Sequence, residues 1–104
     1  MADERMRLLG WRRLRQASLL GFAEIELPIG LIIAEIPLLR GPEGLWAALP
    51  SKPELDRDNR SVRTGGDGKP LYREIIRWRS RRLRTAFSER VVALVRAAHP
   101  GDLD

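Results

Sequence analysis

The chain has 104 residues, with Lys and Arg numbering 19 against 14 Asp and Glu, a formal charge of +5 at pH 7. That length suffices for one domain with a modest core, here residues 1–104, and is too short for two. It contains no cysteine, so disulfides, thiolate metal sites and thiol nucleophiles are excluded, a composition that suits a cytoplasmic protein.

Nearly all of the positive charge is arginine, which keeps its proton and grips phosphate with a planar fork. A basic balance of this kind points to nucleic acid or another anionic surface as partner. The charge is uneven. Arg5, Arg7, Arg12, Arg13 and Arg15 make one basic run and Arg73 to Arg84 a second, while Glu54, Asp56 and Asp58 gather between them.

Residues 1–5 read as a polar, frayed end, and MADERMRLLG lacks the apolar region of a signal peptide. RLLGWRRLR, residues 7–15, has no clean period, so helix and strand both stay open. In GFAEIEL, residues 21–27, Ala23, Ile25 and Leu27 alternate with Phe22, Glu24 and Glu26, the pattern of a half-buried strand. PIG is a turn. LIIAEIPLL, residues 31–39, reads as a strand, with Pro37 at an edge or a bulge because it donates no ladder hydrogen bond. The apolar stretch LPIGLIIAEIPLL is interrupted by Glu35 and by Pro28 and Pro37 and is too short to span a bilayer. RGPEG is a turn. GLWAALP is another short strand, stopped by Pro50. Residues 53–70 read as a long aperiodic loop, and LYREII as a last brief strand.

From Ser80 the period changes. Leu83, Phe87, Val91, Leu94, Val95 and Ala98 recur at three- and four-residue steps, one face of an amphipathic helix. Ser80 is placed to cap its start. His99-Pro100-Gly101 ends it, leaving 99–104 as a frayed tail. Several strands followed by one helix predict an α+β domain with the helix lying on a sheet.

Catalytic signals are weak. His99 is the sole histidine, lies near the chain end and lacks the sheltered neighbours a general base needs. With no cysteine, it cannot build a metal site. GGDGKP, residues 65–70, departs from a Walker loop because Pro70 follows Lys69 and no helix opens there. DRDN, residues 56–59, starts like a calcium loop but has Arg60 in place of an oxygen ligand. Glu24, Glu26 and Glu35 have no nucleophile beside them, so a solvent face or pairing with arginine is expected. The reading is of no enzyme, no cofactor, no metal and no small-molecule substrate.

One stretch carries a family likeness. Glu35-Ile36, Gly41, then Gly44-Leu45-Trp46-Ala47-Ala48-Leu49-Pro50-Ser51-Lys52, and finally Tyr72-Arg73-Glu74-Ile75 resemble the septation regulators of the stage V sporulation protein G family. The likeness extends from GFAEIEL to about Val95. It implies a small antiparallel β-sheet with a C-terminal helix packed on it, and homodimers formed through the sheet. It also implies a cytoplasmic bacterial regulator that binds DNA or RNA. Three features depart from the family: a longer loop between Lys52 and Tyr72, Arg77-Trp78-Arg79-Ser80 where the family has His-Pro-Ile and Ser or Thr, and Ala34 where a histidine is common. The resemblance places nucleic-acid contacts at the start of the helix, with Arg84 on a basic position of the family.

RWRSRRLR, residues 77–84, thereby becomes the candidate site. With Leu83 as the centre of the apolar face and 100° per residue, Arg81 and Arg82 fall on the outer half and Arg84 on the flank. Arg79 and Arg90 lie near the apolar stripe. Cations at a helix N-terminus oppose its dipole by a few tenths of a kcal/mol each, whereas a bound phosphate would be favoured by the guanidinium groups and the open N–H groups together. Arg79, Arg81, Arg82 and Arg84 are therefore the expected phosphate contacts, extended by Arg73, Arg77 and Lys52. Trp78 has two readings, stacking on an unpaired base or closing the core, the latter preferred. Trp46 is expected in the core or a dimer contact, and Trp11 is left open. The alternative function is a protein–protein interaction module that uses the basic patch and a sheet edge without nucleic acid.

Overall fold

The computed structural model describes residues 5–53, 55, 57–58 and 71–103. The chain runs as β1 (Arg7–Gln16), β2 (Leu19–Glu26), β3 (Ile32–Gly41), β4 (Gly44–Ala47), β5 (Ser51–Pro53), β6 (Tyr72–Glu74) and α1 (Arg81–Ala98). β1 to β4 form an antiparallel sheet in sequence order, β5 and β6 a separate two-stranded ribbon. The fold is α+β, with α1 packed on the sheet.

The first strand resolves the open choice over RLLGWRRLR. β1 pairs Leu8 with Ile25 and Gly10 with Glu24, so Leu9 is an extra residue on β1, and a second shift lies between Arg13 and Gln16. Each bulge moves the side-chain alternation by one, which is why no period of two is visible in the sequence. On β2 the alternation is as read: Ala23 and Ile25 are buried and Glu24 is exposed. Phe22 faces outward, under the guanidinium of Arg12 at 5.2 Å from the ring centre.

β3 contains the feature that builds the core. Ala23 pairs with Ile36 but Ile25 with Ile33, so β3 bulges by one residue, and Glu35 there takes φ 58°. In an unbroken strand, Ile33 and Ile36 would point to opposite faces. The bulge turns both inward, to 8% and 0% exposure. Pro37 lies just past it. Its carbonyl accepts from the Ala48 N–H at 3.1 Å, just beyond the end of the β3–β4 ladder, so Pro37 sits beside a bulge and at a ladder end, where a missing N–H is tolerated.

β4 ends at Ala47, three residues before the proline expected to stop it, and Ser51–Pro53 forms β5. The loop read over 53–70 thus begins at the last residue of a strand, and residues 54, 56, 59 and 60–70, with GGDGKP and half of DRDN, lie outside the described residues. Ser80 caps α1, its Oγ accepting from the Leu83 N–H at 3.2 Å. The buried face is Phe87, Val91, Val92 and Val95. Leu83 is 39% exposed, so the packed face is centred one turn later than expected. The helix lies over Leu20, Ala23, Ile25, Ile33, Ile36, Leu38 and Ala47, and the Ala47 N–H donates to Ser88 Oγ at 2.8 Å.

The expected frayed tail is instead docked. Leu103 is 2% exposed within the core cluster, and the Arg40 guanidinium donates to its carbonyl at 2.8 Å. The Trp11 indole N–H donates to Asp102 at 2.8 Å. The apolar Leu103 gives the tail surface to bury, and those two bonds satisfy its polar groups.

Candidate nucleic-acid interface

The approach to α1 is an exposed chain from Ile75 to Ser80 with only Trp78 half-buried. Trp78 packs on Phe87, ring centres 5.0 Å apart. Beside it a small cavity of about 90 Å³ is walled by Leu27, Leu31, Ile33, Leu49 and Ile76. The core reading of this tryptophan holds. Its indole N–H is buried with no partner among the described residues, an arrangement costing about 1–3 kcal/mol. That anchor sets the two flanking side chains, Arg77 and Arg79, out into solvent.

Arg81, Arg82 and Arg84 follow in the first turn of α1, where there is no acidic residue. A groove of about 1100 Å³ opens between this turn and the end of the sheet. Arg77, Arg79, Arg81 and Arg84 line it, together with Trp46 and the β3–β4 turn and with Tyr72 and Glu74 of β6. Glu43 and Glu89 also reach it.

The structure does not bring all seven predicted residues to one place. Lys52 and Arg73 are direct partners across the β5–β6 ribbon. Ser51, Tyr72 and Glu74 line the groove while Lys52 and Arg73 do not, because successive side chains in a strand alternate faces. The two cations thus stand opposite each other on the far side, an arrangement that disfavours the ribbon. Arg82 is exposed on α1 but off the groove wall. Four arginines share the groove, and three basic residues lie outside it.

Charge pairing separates the two basic runs of the sequence. Arg7 pairs with Glu26 at 2.9 Å, Arg12 with Glu35 at 3.6 Å and Arg13 with Asp102 at 3.6 Å. The only other ion pair among the described residues is His99 with Asp102 at 3.9 Å. None of Lys52, Arg73, Arg77, Arg79, Arg81, Arg82 or Arg84 takes part in one. Three of the four β1 arginines are thus paired and Arg15 is not; among the described residues, none of the arginines around the helix start is.

Comparison with known proteins returns no match to any family model, curated protein or solved structure. No helix among the described residues is long and apolar enough to cross a membrane.

Trp46 was expected in the core or in a dimer contact; at 46% exposed it is not a core residue. A Cβ built on Gly41 would stand 3.2 Å from its indole nitrogen, so the ring rests against the Gly41 backbone and turns its remaining surface to the groove. The signal was present as a large aromatic in a strand that has small residues, Gly44 and Ala47, at its two ends. Tyr72, 61% exposed, was read only as part of a strand.

Proposed function

We propose that this chain is a nucleic-acid-binding regulatory protein of the septation-regulator kind, cytoplasmic and without catalytic activity, that contacts the phosphates of DNA or RNA through the start of α1. One observation carries the reading: Arg77, Arg79, Arg81 and Arg84 stand exposed around a capped helix N-terminus and have no carboxylate partner among the described residues, while Arg7, Arg12 and Arg13, three of the four arginines of β1, are paired. Guanidinium groups left this way keep their full attraction for phosphate. The helix dipole and its open N–H groups add to it. Phosphate contacts of this type supply affinity and register more than sequence choice.

A homodimer is part of the proposal. Ile29, Leu31 and Ile32 at the β2–β3 turn are 87%, 48% and 51% exposed, and a second copy would cover them. The alternative, a module that pairs strands with another protein, has less support. The long free edge of β1 carries two bulges and several arginines, features that spoil an edge as a pairing template.

The test is binding of mixed-sequence DNA and RNA over a series of salt concentrations, for the native chain and for the triple variant Arg81→Glu, Arg82→Glu, Arg84→Glu. Affinity that falls steeply with salt and vanishes in the folded variant supports the proposal. Equal binding by both proteins refutes it.

A further inference from the structure

We propose that the groove between β4 and the start of α1 takes a single strand, its unpaired bases against Trp46 and Tyr72 and its phosphates on Arg77, Arg79, Arg81 and Arg84. This rests on the nucleic-acid reading and narrows it to a substrate class.

Three observations carry it. The first is shape. The arginines line a concave groove of about 1100 Å³ rather than crowning a ridge. Duplex readers insert a projecting helix or ribbon into a groove of the DNA; a hollow lined with cations suits a strand laid into it. The second is the aromatic surface. Trp46 and Tyr72 are 46% and 61% exposed and both face the groove. Exposed aromatic rings beside arginines provide the stacking surface that unpaired bases use and that a duplex, with its bases already stacked, cannot reach. Trp46 is also preset, because its ring lies on Gly41, where a side chain would crowd it at 3.2 Å. Little side-chain freedom is left to lose on binding.

The third is the acid content. Glu43, Glu74 and Glu89 share the groove with the four arginines. Carboxylates repel phosphate, so a site for backbone alone would be better without them. A base, however, offers exocyclic amino groups that a carboxylate accepts from. A groove holding arginine, aromatic and carboxylate side chains together matches a ligand that presents phosphates, ring faces and amino edges at once. Single-stranded nucleic acid does this; an acidic peptide lacks the ring faces and amino edges.

The experiment measures affinity for oligodeoxycytidylate and oligocytidylate of about 12 nucleotides, whose bases carry the exocyclic amino group, and for a duplex of matched length, by anisotropy at fixed salt. The native chain, Trp46→Ala, Trp46→Phe and Tyr72→Ala are compared, with oligomeric state followed by sedimentation. The expected result is tighter binding of one or both single strands than of duplex. Trp46→Ala should lose about tenfold on the single strand, Trp46→Phe should retain most of it, and duplex binding should change in neither. The oligodeoxycytidylate and oligocytidylate arms, which differ only in the sugar, show whether the strand is DNA, RNA or both. If duplex binds as tightly, or if both aromatic truncations leave single-strand affinity intact, the inference is overturned while the arginine reading survives. If no nucleic acid binds the native chain, both fall. If Trp46→Ala instead turns a dimer into a monomer, a second copy fills the groove and the inference is overturned.

Discussion

The indole N–H of Trp11 on β1 donates to the carboxylate of Asp102 at 2.8 Å, so the first strand and the end of the chain hold each other. Asp102 also lies 3.6 Å from Arg13 and 3.9 Å from His99. The bond is partly buried, and Asp102→Ala leaves the indole without an acceptor. A loss of about 1–2 kcal/mol is expected, read as a lower urea midpoint with an unchanged slope.

Leu103 should matter more than its place as the second-last residue of the sequence suggests. It is 2% exposed in the core. Leu103→Ala is expected to cost about 2–4 kcal/mol, and a chain ending at Pro100 at least as much. Thermal unfolding of the two variants against the native chain checks this; an unchanged midpoint would contradict the docked tail.

Gly21 marks the closest approach in the sheet. A Cβ there would lie 2.6 Å from the Trp11 ring and 2.5 Å from the Arg12 carbonyl oxygen. The backbone oxygen cannot move without breaking the β1–β2 ladder, so Gly21→Ala is expected to destabilise by about 1–3 kcal/mol. Chemical denaturation gives the value.

The two basic runs should behave differently in binding. Arg12 and Arg13 are engaged with Glu35 and Asp102, whereas Arg79, Arg81 and Arg84 have no such partner. Replacing any of the latter three by Gln is expected to lower the slope of log affinity against log salt by about 1 each. Arg12→Gln should leave that slope nearly unchanged. Titrations of DNA at several salt concentrations separate the two classes.

Lys52 faces Arg73 directly across β5–β6. Lys52→Glu turns a like-charge pair into an opposite-charge pair, expected to stabilise the ribbon by about 0.2–1 kcal/mol. Hydrogen exchange of the β5 and β6 amides reports the change. Because both residues lie off the groove wall, single-strand affinity should fall less than for Arg81→Glu.

What the chain revealed by itself was local. The order of strands and then helix followed from the alternation in GFAEIEL and the three-and-four spacing after Ser80. Ser80 was readable as a cap because a cap bonds only to its own first turn. The arginines of residues 77–84 were visible as surplus charge. What folding alone decided depends on neighbours distant in sequence. The bulges at Leu9 and Glu35 exist because β1 and β3 must match β2 while keeping Leu8, Ile33 and Ile36 against the core; a single strand read in isolation contains no partner to bulge against. The docked tail needs the surface offered by Trp11 and Arg40, more than sixty residues earlier. Which arginines are paired and which stay open depends on the register that sets Arg7 beside Glu26 and leaves the helix-start arginines without an ion pair among the described residues. Periodicity and capping are short-range properties of the chain; ion pairing and groove shape are properties of the packed whole.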